Sequence, residues 1–456
     1  MLPEVELSTL PDKRLKERLS KLLEGFQYTL TQSIPEAFGE WKKTKAAYRF
    51  FSNERVEHRA LVEGQREATR ERIVERGDST VLMIQDTTSF NFKHHPAVEG
   101  MGPLENAHTN GFLVHSTLAV SEDGVPLGLW EQQVWVREVE EIGKSQQRHE
   151  RAFREKESYK WVTGLPEIEE KALAETLINI CDRESHIYEF FDEVLKRDLN
   201  FIVRASKGRS FSPEGVEIFQ ILRQMPPQQA YTLNLKRRPD RPAREAKVEL
   251  RYGSVTLKRP KRADTERESL TLQVVEVIEP SPPDGQEAVH WVLLTNLPIE
   301  TLEQAQKIVE YYTYRWLIER FHYVLKSGCR LEERQLQKQK RLERLLAVFN
   351  LLAWQLLWLT YQARKTPEES CLVALSQEEW QALYIFTHRS NPLPATPPTL
   401  GEVVRWIAQL GGFLGRKNDG EPGVKVLWRG LSRLQDIVDS WILFHSLPLN
   451  HDVGKA

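Results

Sequence analysis

Two stretches of the chain carry residues whose types and spacing suit phosphodiester chemistry. In VLMIQDTTSF, residues 81–90, four apolar residues and Gln85 lead straight into Asp86. A carboxylate beside a segment so suited to a buried strand is costly to desolvate unless a cation pairs with it. In YTYRWLIERFHYVLK, residues 312–326, no proline or glycine intervenes, and the segment reads as one helix. At about 100° per residue, Tyr312, Arg315, Glu319 and Lys326 share an arc of about 60°. Leu317, Phe321, Val324 and Leu325 project from the other side as an apolar stripe. A glutamate flanked by cations suits a metal ion and a phosphodiester together, with Glu on the ion, Arg and Lys on phosphate oxygens, and Tyr against the backbone. The same face also suits a solvated surface with ordinary ion pairs.

These residues need elements to hold them. TVLMIQD, GFLVHSTLAVS and VPLGLWEQQVWVR read as three consecutive strands of an antiparallel meander, with a turn at EDG, 122–124. The first predicted strand ends on Asp86, and Thr87, Thr88 and Ser89 read as turn hydroxyls that satisfy backbone groups rather than as nucleophiles. The polar stretch from Glu138 to Trp161 reads as helix, and NFIVRAS further on as a strand. From 230 to 297, strand-like segments alternate with Pro-rich turns such as EPSPPDG, the pattern of an inserted antiparallel sheet. Beyond Ile299 the pattern is helical to about Arg364, and the Pro-rich NPLPATPPTL leads into a last helical segment. Near the start, DKRLKERLSKLLEGF places Leu15, Leu19 and Leu22 at helical spacing in a small basic module.

Composition limits the alternatives. A chain of 456 residues, 40% apolar and 28% charged, has no uninterrupted apolar run near the roughly 18 residues of a membrane span. It reads as a soluble protein of roughly two or three domains. Glu4 and Glu6 stand where a signal peptide is basic, so a cytoplasmic location is expected. Cys181, Cys329 and Cys371 are too scattered for a disulfide framework or a zinc site and are expected to be buried thiols. A net charge of −2 argues against a polyanionic partner, but averages hide patches. From Lys236 to Arg262, eleven basic residues face three acidic ones, which suits either a solvated hairpin or a surface that tracks phosphates.

The spacing of Tyr312, Arg315, Glu319 and Lys326 resembles the Y-R-E-K signature of bacterial cut-and-paste transposases of the DDE type, in the insertion-sequence group that includes the kanamycin-resistance composite transposon. IQDTTS with Asp86 resembles the first acidic motif of that family. CDRESHI with Asp182 resembles its second, D-R-E-A-D-I, with Ser185 and His186 in place of Ala and Asp. KAAYRFFSN, HWVLLTNLP and LGGFLGRKNDGEPG are similar to further family stretches, so the resemblance covers almost the whole chain.

The resemblance implies an α/β fold with a ribonuclease-H-like catalytic core, interrupted by an inserted antiparallel β-sheet and flanked by helical N- and C-terminal domains. The implied boundaries are 1–62 for end-DNA binding, 63–364 for catalysis with the β-subdomain at about 206–297, and 365–456 for dimerisation. Asp86, Asp182 and Glu319 are implied as catalytic residues holding two Mg2+ or Mn2+ ions per active site. Trp291 is implied to stack on a flipped base, and Arg204, Tyr312, Arg315 and Lys326 to grip phosphates. Tyr323 stands where the best-known relative has a lysine. Arg14, Arg18 and Arg49 are candidates for contacts to the transposon end. The implied partners are double-stranded transposon-end DNA, target DNA and a second copy in a homodimeric synaptic complex on the nucleoid, with no membrane. The implied route is a nick, a hairpin at the transposon end, opening of that hairpin, and joining of 3′ ends to the target. A pepsin-like protease does not fit, because Thr88 occupies the glycine position of its motif and Arg183 follows Asp182. A non-catalytic DNA-binding inhibitor of transposition is the alternative, and it is disfavoured because all three acids are present. A nuclease that cuts without joining is disfavoured by the end-binding module.

Overall fold

The computed structural model describes residues 2–104, 109–139, 151–228, 230–235, 243–389, 392–417 and 419–446. Ten strands form one mixed sheet: β1 (Thr80–Asn91), β2 (Gly102–Pro103), β3 (Asn110–Ser121), β4 (Pro126–Trp135), β5 (Thr176–Cys181), β6 (Asn200–Arg204), β7 (Ala230–Leu235), β8 (Arg244–Lys258), β9 (Ser269–Ile278) and β10 (His290–Thr295). Their order is β2-β3-β1-β5-β6-β10-β9-β8-β7, with β4 also paired to β3. The expected meander is present as β1, β3 and β4, each antiparallel to the next. β5 and β6 then run parallel to β1. This mixed α/β arrangement is consistent with the ribonuclease-H-like core that the resemblance implies. The strands from 230 to 295 continue the same sheet, because β10 pairs antiparallel with β6 and β9 with β10.

Alternation along the strands decides which side chains meet which layer. Val81, Met83, Leu177, Phe201 and Val203 share one core with Phe190, Phe191 and Val194. Those three belong to α7 (Tyr188–Lys196), which follows α6 (Lys160–Thr163) and precedes α8 (Ile218–Gln224). Leu82, Ile84, Ile178, Ile180 and Ile202 point the other way, onto Ile308, Val309, Leu317 and Ile318. These lie on α9 (Leu302–Thr313) and α10 (Trp316–Tyr323). Each such side chain, fully buried, contributes roughly 1.5–3 kcal/mol.

A third core is mostly helical, with Phe90, Phe112, Val114 and Leu129 of the sheet joining it. It joins α1 (Pro3–Glu6), α2 (Lys13–Phe26), α3 (Ile34–Phe38), α4 (Trp41–Phe51) and α5 (His58–Arg76) to α11 (Gln339–Lys365), α12 (Gln377–His388), α13 (Leu400–Leu410) and α14 (Val424–Ser446). Leu15, Leu19 and Leu22 of α2 are buried in it as their spacing predicts, and Asp12 caps α2 by accepting from the Leu15 amide at 2.9 Å. By length and composition α11 could cross a membrane. Here its apolar sides are taken up by α2, α4, α5, α13, α14 and β4, which makes it a core helix.

Four local expectations are corrected. The signature segment is not one helix: α9 ends at Thr313, Tyr314 and Arg315 form a turn, α10 follows, and Val324–Gly328 closes as a π-turn. β1 does not end at Asp86 but continues to Asn91 against β3, so Thr87, Thr88 and Ser89 are strand residues. The described part of Glu138–Trp161 holds two 3-10 turns and the start of α6 rather than a helix, and 140–150 lie outside the described residues. The basic run is partly neutralised, since Arg244 pairs with Glu279 at 2.5 Å and Arg251 with Glu276 at 2.9 Å. Its first members, Lys236, Arg237, Arg238 and Arg241, lie outside the described residues.

Candidate active site and nucleic-acid faces

The parallel register of β1 and β5 brings the first two acids together. Ile84 pairs with Ile180, an offset of 96 residues, and the same offset puts Asp86 level with Asp182. β5 ends at Cys181, so Asp86 lies where β1 has lost its parallel neighbour, and Asp182 begins the loop that follows. Asp182 accepts from the Glu184 amide at 2.8 Å, and its carbonyl accepts from Ser185 Oγ at 2.7 Å. His186 fastens this loop to the segment beyond β6: its Nδ1 accepts from the Ser206 amide at 2.8 Å, and its Nε2 lies 2.6 Å from Ser210 Oγ. The two departures from the family motif, Ser185 and His186, are thus satisfied locally.

Glu319 enters on the first turn of α10, one helical turn from Arg315. Arg315 is largely buried. It pairs with Glu319 and reaches Asp86 at 3.6 Å, so one guanidinium answers two of the three carboxylates. His322, a turn further along α10, places Nδ1 3.5 Å from Asp86 and Nε2 3.3 Å from Ser116, the β3 register partner of Asp86. Ser116 in turn accepts from Gln132, which is bonded to Asn350 of α11. Asp86 therefore stands on a buried polar network, as a buried charge requires.

The two aspartates differ in proton affinity. Burial pushes Asp86 upward, but His322 and Arg315 outweigh it and hold the carboxyl below its ordinary range. Burial and the neighbouring charge of Asp86 raise Asp182, and the Glu184 amide and Arg315 only partly offset this. His115, bonded to Thr87 at 2.9 Å and Gln85 at 3.0 Å, is pushed down to about 3 by burial and Lys160, and is neutral at pH 7.

Among the described residues, no group of three or more His, Cys, Asp or Glu side chains could hold a metal ion as the chain stands. The chemistry of the donor set nevertheless fits one. Asp86 and Asp182 stand level where β1 and β5 part, Arg315 links Asp86 to Glu319, and all-oxygen ligands suit hard divalent cations.

The remaining signature residues border the same cleft. Tyr312 is buried, its ring 5.5 Å from that of Trp291 in a T-shaped contact. Burial raises its hydroxyl, and Arg315 and Arg204 pull the other way. Lys326, carried on the π-turn, lies over the Phe90 ring at 5.6 Å and is lowered by burial. Trp291 and Arg204 line a cavity of about 610 Å3 together with Arg183, Lys207, Phe219 and His290. Arg204 is steadied there by donating to the His290 carbonyl at 2.9 Å. Arg183 and Lys207 were legible as neighbours of CDRES and RAS. Phe219, His290 and His322 carried no signal of their own.

The N-terminal candidates lie apart from this cleft. Arg14 and Arg18 are one turn apart on α2, and Arg18 lines a groove of about 630 Å3 with Lys21, Lys42 and Lys43. Arg49 is exposed on α4. On that helix Tyr48, Trp41, Lys45 and Arg49 share an outward arc of about 100°, opposite buried Thr44, Ala47, Phe50 and Phe51. Trp41, passed over in the sequence, is 76% exposed at the head of this stripe. Its signal was position rather than type, since Thr44, Ala47 and Phe51 already fill the inner face.

Three family models match the chain. Residues 3–56 match a transposase DNA-binding model, 162–356 a transposase DDE domain, and 351–445 a transposase Tn5 dimerisation domain. Asp182 and Glu319 fall inside the DDE match, and Asp86 lies ahead of it.

Proposed function

We propose, from the premise that this chain belongs to the Tn5-type DDE transposases, that it cuts and joins DNA at the ends of its own element through Asp86, Asp182 and Glu319. The family makes it a metal-dependent enzyme that acts on DNA and carries a dimerisation region. The observation that supports the finer reading is the β1–β5 register, which sets Asp86 level with Asp182, with Arg315 bridging Asp86 to Glu319.

In this reading the three carboxylates hold two Mg2+ or Mn2+ ions. When bound, such ions activate the attacking oxygen and stabilise the leaving one. The chain's own groups do the rest. Arg315 exchanges its carboxylate partners for a phosphate, and Lys326 and Arg204 grip phosphates on either side. Trp291 takes up an extruded base in the cavity beside Arg183 and Arg204, with stacking contributing roughly 1–3 kcal/mol. That relieves crowding when the freed 3′ hydroxyl attacks the opposite strand to form the hairpin, before water opens it and the 3′ ends join target DNA. Residues 1–62 are read as the end-binding domain, with the α4 stripe and Arg14 and Arg18 facing the duplex. Residues 63–364 are read as the catalytic domain, with an insertion at about 206–297, and 365–456 as the homodimerisation domain.

The test is a gel assay of cleavage and strand transfer on duplexes carrying the element's own ends. Nicks, hairpins and joined products are expected. Binding without any cleavage in Mg2+ or Mn2+ would favour a non-catalytic inhibitor, and cleavage without joining a nuclease. Ile442 and Phe444 of α14 are exposed, so Ile442→Glu with Phe444→Glu should leave a folded protein that fails to pair two ends. Paired-end complexes at normal yield would remove α14 from the dimer contact.

A further inference from the structure

Between the π-turn after the signature and the C-terminal helix lies a cavity of about 710 Å3, lined by Tyr323, Arg330, Trp428 and three cations of α14, Lys425, Arg429 and Arg433. Those three recur every fourth residue, so they form one stripe on the helix, and among the described residues no carboxylate lines the cavity. Arg330 holds a left-handed backbone, φ 48°, and pairs with Glu333 at 3.6 Å. Arg433 donates to the Leu410 carbonyl at 2.8 Å. Lys425 and Arg429 are exposed and have no ion-pair partner among the described residues. Tyr323 packs on Trp428 with ring centroids 5.7 Å apart, which gives the cavity an aromatic wall.

We propose that this cavity is a second phosphate-binding site, and that it grips the backbone of the element-end duplex next to the catalytic cleft. The inference rests on the end-cleavage reading above. The π-turn Val324–Gly328 joins the two places: Lys326 stands in it at the cleft, and Ser327 lines the cavity. A strand leaving Lys326 over this turn meets α14. The stripe from Lys425 to Arg433 spans about 12 Å at about 1.5 Å per residue. That is room for three or four phosphates of one strand, at about 3.4 Å of duplex axis each. A row of that length suits a polyanion rather than a single phosphate. In a chain of net charge −2, cations left without carboxylates raise the local potential where an anion is to bind.

The test is fluorescence anisotropy with an element-end duplex and a scrambled duplex, titrated across about 50–200 mM salt, comparing wild type with the Lys425→Ala, Arg429→Ala double variant. Both side chains are exposed, and a thermal melt confirms an intact fold. The expected result is about tenfold weaker binding to both duplexes, with the slope of log affinity against log salt shallower by about 2. Adding Tyr323→Lys, which places a new cation in the cavity, should recover part of that slope. Unchanged affinity and slope in the double variant would overturn the proposal. So would an unchanged slope accompanied by loss of the dimer in light scattering, which would assign the stripe to a second copy of the chain. If wild type itself shows no preference for the element end, the functional reading fails, and that outcome is separate from the variant comparison.

Discussion

In the cleft where β1 runs on past the end of β5, charge is largely answered from within the chain: Arg315 serves Asp86 and Glu319, and His322 backs Asp86. In the cavity beside α14, Lys425 and Arg429 have no ion-pair partner among the described residues. Both regions border the same stretch, from α10 through the π-turn, yet they are prepared for ligands in opposite ways. In the proposed reading Asp86 and Glu319 stay compensated by Arg315 until metal and phosphate arrive together, which limits the cost of burying them. The cavity holds bare cations at the surface, where water already solvates them and exposure costs little. Asp182 is the exception inside the cleft: burial and Asp86 raise its pKa, and the Glu184 amide and Arg315 only partly offset this.

The largest effects should come from breaking the cleft. Asp86→Asn, Asp182→Asn and Glu319→Gln should each reduce cleavage on the order of a thousandfold or more, while end binding stays within about twofold. A denaturing gel beside a binding titration reads both, and near-normal nicking by any one variant would remove that residue from the catalytic set. Next comes Trp291→Ala, for which a lost stacking contact of roughly 1–3 kcal/mol predicts about 5- to 150-fold slower hairpin formation. Nicked DNA should then accumulate, whereas Lys326→Ala should slow every step alike. Equal loss of nick and hairpin in Trp291→Ala would make that tryptophan structural.

The smallest effect is the sharpest test of the comparison, because it has opposite signs at two neighbouring acids. A carboxyl whose pKa is raised by folding opposes folding when ionised, and the protein loses stability as pH rises through the folded value. Asp182 is of this kind, so at pH 7 without metal Asp182→Asn should raise Tm by roughly 1–3 °C. A carboxyl whose pKa is depressed contributes stability above its unfolded pKa and loses it as pH falls through the folded value. Asp86 is of this kind, so Asp86→Asn should lower Tm, and the difference from wild type should shrink toward acid pH. Equal shifts in calorimetry would show that Arg315 and His322 do not distinguish the two.

Much of this arrangement was legible in residue pattern. The apolar runs of β1 and β3, the leucine spacing of α2 and the apolar stripe at Leu317, Phe321, Val324 and Leu325 each mark residues that burial selects, and all are buried as expected. Where the pattern misled, a tertiary partner decided. Asp86 looked like a strand end because its neighbours turn polar, but β3 continues to pair with β1 as far as Asn91. The signature looked like one helix because no Pro or Gly breaks it. The chain turns at Tyr314 and Arg315, and there Arg315 meets Asp86 and Glu319. The basic run looked bare because its partners, Glu276 and Glu279, lie a hairpin away in sequence. His322 and Phe219 acquire meaning only through cross-element contacts that no local spacing encodes.

The central claim is that Asp86, Asp182 and Glu319 act together as one divalent-metal site once DNA engages Arg315. The most direct measurement is Mn2+ binding, followed by electron paramagnetic resonance, to the protein on an end duplex with a non-cleavable linkage, in wild type and in the three single variants. The account predicts about two bound ions in wild type, as in two-metal nucleases, weaker binding without DNA, and loss of at least one ion in each variant. Unchanged Mn2+ stoichiometry and affinity in any of the three variants would contradict it.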